Sequence, residues 1–268
     1  MVIASACQRR TTNGEPERHP DHTPGAACDH DDVDLPLIGS GRAADVFDLG
    51  HGRVLKRYRR AASGAVQREA AAMTALRAAG LPVPHVFEAH DTDLVMEKVE
   101  GRSMLDELAA RPWAARVLGR RVGELHHQLL HLDVAPPADL PSVADGQRVL
   151  HLDFHPGNVM VHRQRLTIID WTNAAVGPAG LDIATTWMLM ATSTIDDVPR
   201  AIRPIAGFLR NVFLRSYLRA ANAGHEAEPW MRLACERRLV DPGTRPEEAE
   251  RVRAFAARAT FAVEPRSQ

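Results

Sequence analysis

Two short blocks near the middle of the chain carry side chains suited to phosphoryl transfer. The first is His151-Leu152-Asp153-Phe154-His155-Pro156-Gly157-Asn158, and the second is Ile168-Ile169-Asp170-Trp171. Metal-assisted phosphoryl transfer needs one carboxylate beside the attacking hydroxyl and hard oxygen ligands for magnesium. Asp153 and Asn158 lie five positions apart on one polar loop, and Asp170 arrives from the end of an adjoining hairpin strand. Taken singly, each Asp reads as a turn residue or a helix cap. Their combined spacing is what points to chemistry.

This pair of blocks resembles the catalytic loop and metal-binding segment of the protein kinase-like fold. The likeness is greatest to the aminoglycoside phosphotransferase and choline kinase branch, where a His-Gly-Asp-x-His-x-x-Asn loop precedes an Ile-Asp-Trp segment. It implies Asp153 as the catalytic base, Asn158 and Asp170 as magnesium ligands, and ATP as phosphoryl donor. Leu152 stands where the family has Gly. Gly177-Pro178 and Asp182 resemble the family's Gly-Asp-Pro-x-x-Asp-Leu-Ala stretch without its first Asp, and Asp182 is expected to cap its helix and brace the catalytic loop. His155 is expected to pack and hydrogen-bond within the loop.

A nucleotide site must come from the N-terminal half. Gly39, Ser40 and Gly41 form a glycine-rich hairpin between two strands, and Lys56 falls on the strand that follows. Such a hairpin lets backbone N–H groups approach phosphates, and a strand-borne ammonium reaches the α- and β-phosphates. The chain has 33 basic residues of which only Lys56 and Lys98 are lysines. With arginine the default cation, a retained lysine marks a place where arginine does not serve. Glu69 shares a helix face with Val66, Met73 and Leu76, where an unpaired carboxylate would be expensive to bury. Pairing with Lys56 accounts for both residues. The resemblance places the lobe hinge at Met96 to Val99, so that Glu97 and Val99 would offer backbone groups to adenine and Lys98 would point to solvent.

These residues need elements to hold them. Strands are expected over 45–49, 53–58, 83–89 and 94–99, with a helix at 65–79 ending at Gly80. Helices follow at 103–110 and about 112–132, the latter with a stripe of Leu118, Val122, Leu125, Leu129 and Leu132. Strand 148–152, a hairpin at 159–170, and helices at roughly 182–192, 199–223, 228–239 and 246–262 complete the order. Trp113, Trp187 and Trp230 are assigned to helix packing, and His126 and His127 to core or surface. Residues 1–34 hold almost no large apolar side chains and read as a disordered tail; their His and Asp residues show no repeated ligand spacing. With the resemblance, the expected architecture is α+β: a nucleotide-binding lobe at 35–100, with a small antiparallel sheet and one helix, and a mainly helical catalytic and substrate-binding lobe at 101–268.

Composition narrows the partners. Lys+Arg (33) nearly balances Asp+Glu (34), which gives no electrostatic reason to expect nucleic acid or a membrane surface. No apolar run approaches the roughly 18 residues of a membrane helix, and three scattered cysteines suit a reducing cytoplasm. From Asp170 to Asp182 is only twelve positions, too few for the activation segment and peptide platform of a protein kinase. The expected activity is therefore ATP- and magnesium-dependent phosphorylation of a small molecule's hydroxyl, with a nucleotide-binding pseudokinase or a protein kinase as alternatives. Residues 185–268 hold 13 arginines against 10 acidic residues, which weighs against a polycationic acceptor. Oligomeric state is not legible.

Overall fold

The computed structural model describes residues 35–41, 43–60, 64–194, 200–223 and 225–258; the expectation of a tail over 1–34 lies outside these. Five strands form one antiparallel sheet in the order β1-β2-β3-β5-β4: β1 (Leu37–Ser40), β2 (Ala44–Gly50), β3 (Arg53–Tyr58), β4 (Val86–His90) and β5 (Asp93–Glu97). In β3 the period-two alternation puts Val54, Lys56 and Tyr58 on one face, all buried. Helix α1 (Ala65–Ala78) runs between β3 and β4. Its alanine-rich sequence favours helix, and Val66, Glu69, Ala70, Met73 and Leu76 form its buried stripe. At its end Leu81 N–H returns to the Leu76 carbonyl at 3.0 Å and Gly80 takes φ 90°, a glycine-terminated C-cap.

The second lobe begins with β6 (Arg102–Ser103), a two-residue strand that the sequence pattern did not suggest. Helices α2 (Met104–Ala110) and α3 (Ala115–His131) follow; Ser103 caps α2 by accepting the Asp106 N–H at 3.0 Å. Strand β7 (Arg148–Leu150) leads to the polar loop and its 3₁₀ turn, Pro156–Asn158. The hairpin β8 (Val159–His162) and β9 (Arg165–Ile168) pairs with β6, and β10 (Ala175–Gly177) pairs antiparallel with β7. Four helices close the lobe: α4 (Ala179–Thr192), α5 (Arg203–Ala220), α6 (Met231–Val240) and α7 (Pro246–Arg258). Among the described residues no helix is long and apolar enough to cross a membrane.

Three expectations need correction. Trp113 is 78% exposed and packs into no core, although Trp187 and Trp230 do pack against it. Asp182 does not cap α4, because the helix starts three residues earlier at Ala179 and Asp182 sits inside its first turn. Lys98 does not point to free solvent: its Nζ donates to Asp48 Oδ2 at 2.6 Å across to β2, and this raises its pKa.

Candidate active site

Helix α1 and the segment that follows β9 both meet Lys56 of β3. Its Nζ donates to Glu69 Oε1 at 2.8 Å and Oε2 at 3.2 Å, to Asp170 Oδ1 at 2.8 Å, and to Thr172 Oγ1 at 2.8 Å. Lys56 and Glu69 are 6% and 1% exposed, so the pair is dry. Glu69 gains further donors: the Trp171 N–H at 3.0 Å and the Tyr58 hydroxyl. A buried carboxylate with this many partners meets the condition under which burying charge is tolerable. Burial works against charge on Lys56, yet Glu69 and Asp170 outweigh it and raise the ammonium's pKa well above its ordinary value. Partial desolvation opposes ionisation of the half-exposed Asp170, but Lys56 and the Thr172 hydroxyl, 2.6 Å away, hold this carboxyl well below the usual carboxylate range. Both groups are ionised at neutral pH.

Sequence reasoning missed Tyr58 and Thr172 in this cluster. The signal was present in local spacing: each lies two residues beyond a charged member, on the same strand face as Lys56 or across the turn from Asp170.

The catalytic-loop residues are held by backbone. His151 is fully buried; its Nε2 reaches the Ile169 carbonyl at 3.0 Å, and its Nδ1 accepts the Asp153 N–H at 3.3 Å. Asn158 Nδ2 donates to the Asp153 carbonyl at 2.9 Å and to Asp153 Oδ2 at 3.2 Å. The Ile169 N–H bonds the Asn158 carbonyl at 2.9 Å, which ties the loop to the segment bearing Asp170. Asp170 itself has φ 63°, left-handed backbone that aspartate tolerates better than most residues. From α4, Asp182 accepts the N–H groups of His151 and Leu152, each at 2.7 Å. The expected brace is therefore made.

Asn158 and Asp170 supply one amide and one carboxylate. With its Nδ2 turned to Asp153, Asn158 directs its Oδ1 elsewhere, and the Asp170 side chain is 44% exposed. Among the described residues no cluster of three or more His, Cys, Asp or Glu side chains could hold a metal. Such a sparse donor set fits magnesium, which keeps waters and takes phosphate oxygens as ligands.

The nucleotide-loop residues sit apart from this cluster. Gly39 is paired in the β1–β2 ladder, the Ser40 hydroxyl donates to Asp45 at 2.7 Å, and the Gly41 N–H is spent on the Ala44 carbonyl at 2.9 Å. Arg59 ties the same tip, donating to the Gly41 carbonyl at 3.0 Å and to Ser40 Oγ at 2.8 Å. At the lobe boundary, Glu97 N–H bonds the His85 carbonyl at 2.8 Å, and its carboxylate pairs with Arg77 at 3.1 Å. Val99 is half-buried and lies just past β5.

Comparison with known proteins bears on the fold and the family. The chain is 15% identical to the protein in the structure of the streptomycin-ATP-APH(2")-IIa ternary complex, with a TM-score of 0.56 over 75% of this chain and 82% of that one. A thermostable mutant of aminoglycoside phosphotransferase APH(4)-Ia gives 16% and 0.58 over 86% and 96%. Choline kinase from Cryptosporidium parvum Iowa II gives 13% and 0.52 over 83% and 88%. These likenesses establish the two-lobed protein kinase-like fold. A probable serine/threonine-protein kinase BUD32 homolog of Archaeoglobus fulgidus is 29% identical over 32% of this chain and 42% of its own length. A probable bifunctional tRNA threonylcarbamoyladenosine biosynthesis protein of Methanoculleus marisnigri is 24% identical over 58% of this chain and 29% of its own. The chain thus spans less than half the length of either curated relative. The sequence profile described as the phosphotransferase enzyme family matches residues 34–148 and 129–233. With the Lys56–Glu69–Asp170 cluster and the Asp153–Asn158 loop in place, the chain belongs to the phosphotransferase enzyme family.

Proposed function

We propose that this chain is an ATP- and magnesium-dependent kinase that phosphorylates a hydroxyl of a small molecule, with Asp153 as base. The observation that carries the reading is the simultaneous contact of Lys56 Nζ with Glu69 and Asp170, 2.8 Å from each, while Asp153 lies on a loop bonded to the Asp170 segment. Lys56, a strand-borne ammonium, would neutralise phosphate charge. Asn158 and Asp170 would hold magnesium, which when bound offsets charge on the phosphate oxygens. The acceptor's O–H proton passes to Asp153, its oxygen bonds the γ-phosphorus, and the bond to the β,γ-bridging oxygen breaks, releasing ADP and later the proton to water.

A small acceptor is favoured by the segment between Asp170 and Asp182. It is used up by a turn, the three residues of β10 paired to β7, and the start of α4, which leaves no peptide platform. Charge is a further guide: residues 185–268, against which the acceptor would sit, hold 13 arginines and 10 acidic residues, which weighs against a polycationic antibiotic. A neutral or singly charged acceptor, such as a sugar or an amino alcohol, suits this lobe better. A protein-kinase role is the second reading, favoured only by the name of the Archaeoglobus relative.

The deciding experiment is an ATP-consumption screen over aminoglycosides, macrolides, sugars, amino alcohols and a basic protein. Turnover with a small acceptor, reduced about a hundredfold or more in Asp153→Asn while nucleotide affinity stays near wild type, is the expected result. Equal turnover in that variant would remove Asp153 as base, and turnover with the protein alone would favour the second reading.

A further inference from the structure

Thr172 lies in the turn between Asp170 and β10, and its hydroxyl touches three side chains. Its Oγ1 is 2.8 Å from Lys56 Nζ, 2.6 Å from Asp170 Oδ1 and 3.0 Å from the Tyr58 hydroxyl. An ammonium can only donate and an ionised carboxylate can only accept, so Thr172 accepts from Lys56 and gives its one proton to Asp170. Tyr58 is a neutral competitor for that proton and the weaker one beside a carboxylate; its own proton goes to Glu69. Oδ1 of Asp170 therefore carries two donors, the Lys56 ammonium and the Thr172 hydroxyl, which use both of its lone pairs. Among the described residues no group donates to Oδ2, and the side chain is 44% exposed.

We infer that Thr172 is a positioning residue that sets the choice of cation: by filling Oδ1 together with Lys56, it leaves Oδ2 as the single oxygen that Asp170 offers, and this favours magnesium over calcium. A carboxylate that chelates with both oxygens needs a free lone pair on each. Calcium takes more oxygens in a looser geometry and accepts carboxylates in either mode, whereas magnesium holds a strict octahedron and keeps several waters. Removing the Thr172 donor reopens Oδ1, and with it the chelating mode that calcium can use. Lys56 does not close it alone, since its ammonium is shared with both oxygens of Glu69 and one lone pair of Oδ1 stays free. The inference rests on the magnesium-dependent reading proposed above.

Binding, measured without turnover, tests this. The probe is a non-hydrolysable ATP analogue, titrated by calorimetry into the whole chain with magnesium, with calcium and with EDTA. The quantity read is the calcium dissociation constant divided by the magnesium one. Each ratio is taken within one protein, so a general loss of nucleotide affinity or of stability cancels. Wild type should prefer magnesium, and Thr172→Val, which keeps the shape and removes the hydroxyl, should lower the ratio about tenfold. Thr172→Ser keeps the hydroxyl and should stay within about twofold of wild type. An unchanged ratio in Thr172→Val, an equal loss in Thr172→Ser, or a wild type with no magnesium preference would overturn the inference and leave metal-dependent binding in place. Wild-type affinity no tighter with either metal than with EDTA would instead remove the magnesium-dependent reading itself, and this inference with it.

Discussion

Asp182 Oδ1 accepts the backbone N–H of Leu152 at 2.7 Å, and Leu152 has φ 58°. Left-handed backbone costs a leucine about 1–2 kcal/mol, so the conformation persists only where its surroundings impose it. Asp182 does so with both oxygens, since Oδ2 takes the neighbouring His151 N–H. The side chain of Leu152 is buried, which adds an apolar anchor. The residue that departs from the family's glycine is thus locked in a glycine-like conformation by a carboxylate on α4, one residue before the proposed base.

Removing that carboxylate should be costly. Asp182→Ala leaves two buried N–H groups without acceptors, each worth about 1–3 kcal/mol, and releases the loop. We expect a loss of about 3 kcal/mol or more, read from the shift of the urea midpoint at unchanged m-value. A loss below about 1 kcal/mol would mean that the brace is not the main restraint on the loop.

How much of this was legible beforehand depends on the range of the interaction. The succession of strands along the chain and the position of α1 follow from local periodicity and turn residues, and their boundaries agree to within a few residues. The pairing of Lys56 with Glu69 was legible because burying an unpaired Glu on an apolar face is unfavourable enough to demand a partner. Asp182 was read half correctly: cap chemistry predicts a helix start, but the carboxylate was taken by N–H groups distant in sequence. Lys98 was misread because nothing local announces Asp48 as its neighbour across β2. The short strands β6 and β10 carry no pattern of their own; pairing with β8 and β7 creates them. Tyr217 was invisible as a partner for His126 for the same reason.

Lys56 is the one cation between two carboxylates, and its loss should expose their repulsion. Lys56→Met leaves Glu69 and Asp170 without their shared ammonium, and breaking a buried pair from one side costs about 3–5 kcal/mol. Lys56→Arg keeps the charge in a larger planar group that does not fit the same four oxygens. We expect Lys56→Met to lower both stability and nucleotide affinity, and Lys56→Arg to recover part of the stability and little of the phosphoryl transfer. Thermal melting with and without Mg-ATP separates the two effects.

Acid sensitivity follows from Asp170. Its folded pKa is depressed, because Lys56 and Thr172 outweigh the opposing effect of burial. A carboxylate depressed on folding contributes stability that is complete above its unfolded pKa, about 4, and is lost as pH falls through the lower folded value. The wild-type chain should therefore lose stability below about pH 4 more steeply than Asp170→Asn, while the two curves run parallel between pH 6 and 8 as judged from about neutral conditions. Unfolding free energies measured across this range test the sign. A steeper acid limb in the variant would contradict the assigned depression.

The brace on the catalytic loop also depends on how closely two helices approach. A Cβ at Gly123 of α3 would meet the Tyr217 carbonyl of α5 at 2.5 Å, and one at Gly119 would meet the Phe213 carbonyl at 2.4 Å. This backbone-to-backbone contact brings the Tyr217 hydroxyl to His126 Nδ1 at 2.6 Å, and His126 Nε2 lies 3.2 Å from Asp182 Oδ2. The His126 ring also stacks on Phe154 at 4.1 Å between centroids. Tyr217 and Asp182 thus lie against the two nitrogens of the His126 ring, and the nearness of that ring helps to lower the Asp182 pKa against the opposing effect of complete burial. Gly123→Ala forces the helices apart and should cost about 1–3 kcal/mol by overpacking. Tyr217→Phe keeps the helices in contact and removes one buried hydrogen bond, a cost of about 1 kcal/mol. If the approach of the helices seats His126, Gly123→Ala should also slow phosphoryl transfer more than Tyr217→Phe does. Equal rates in the two variants, measured where both are folded, would confine the glycine contact to stability alone.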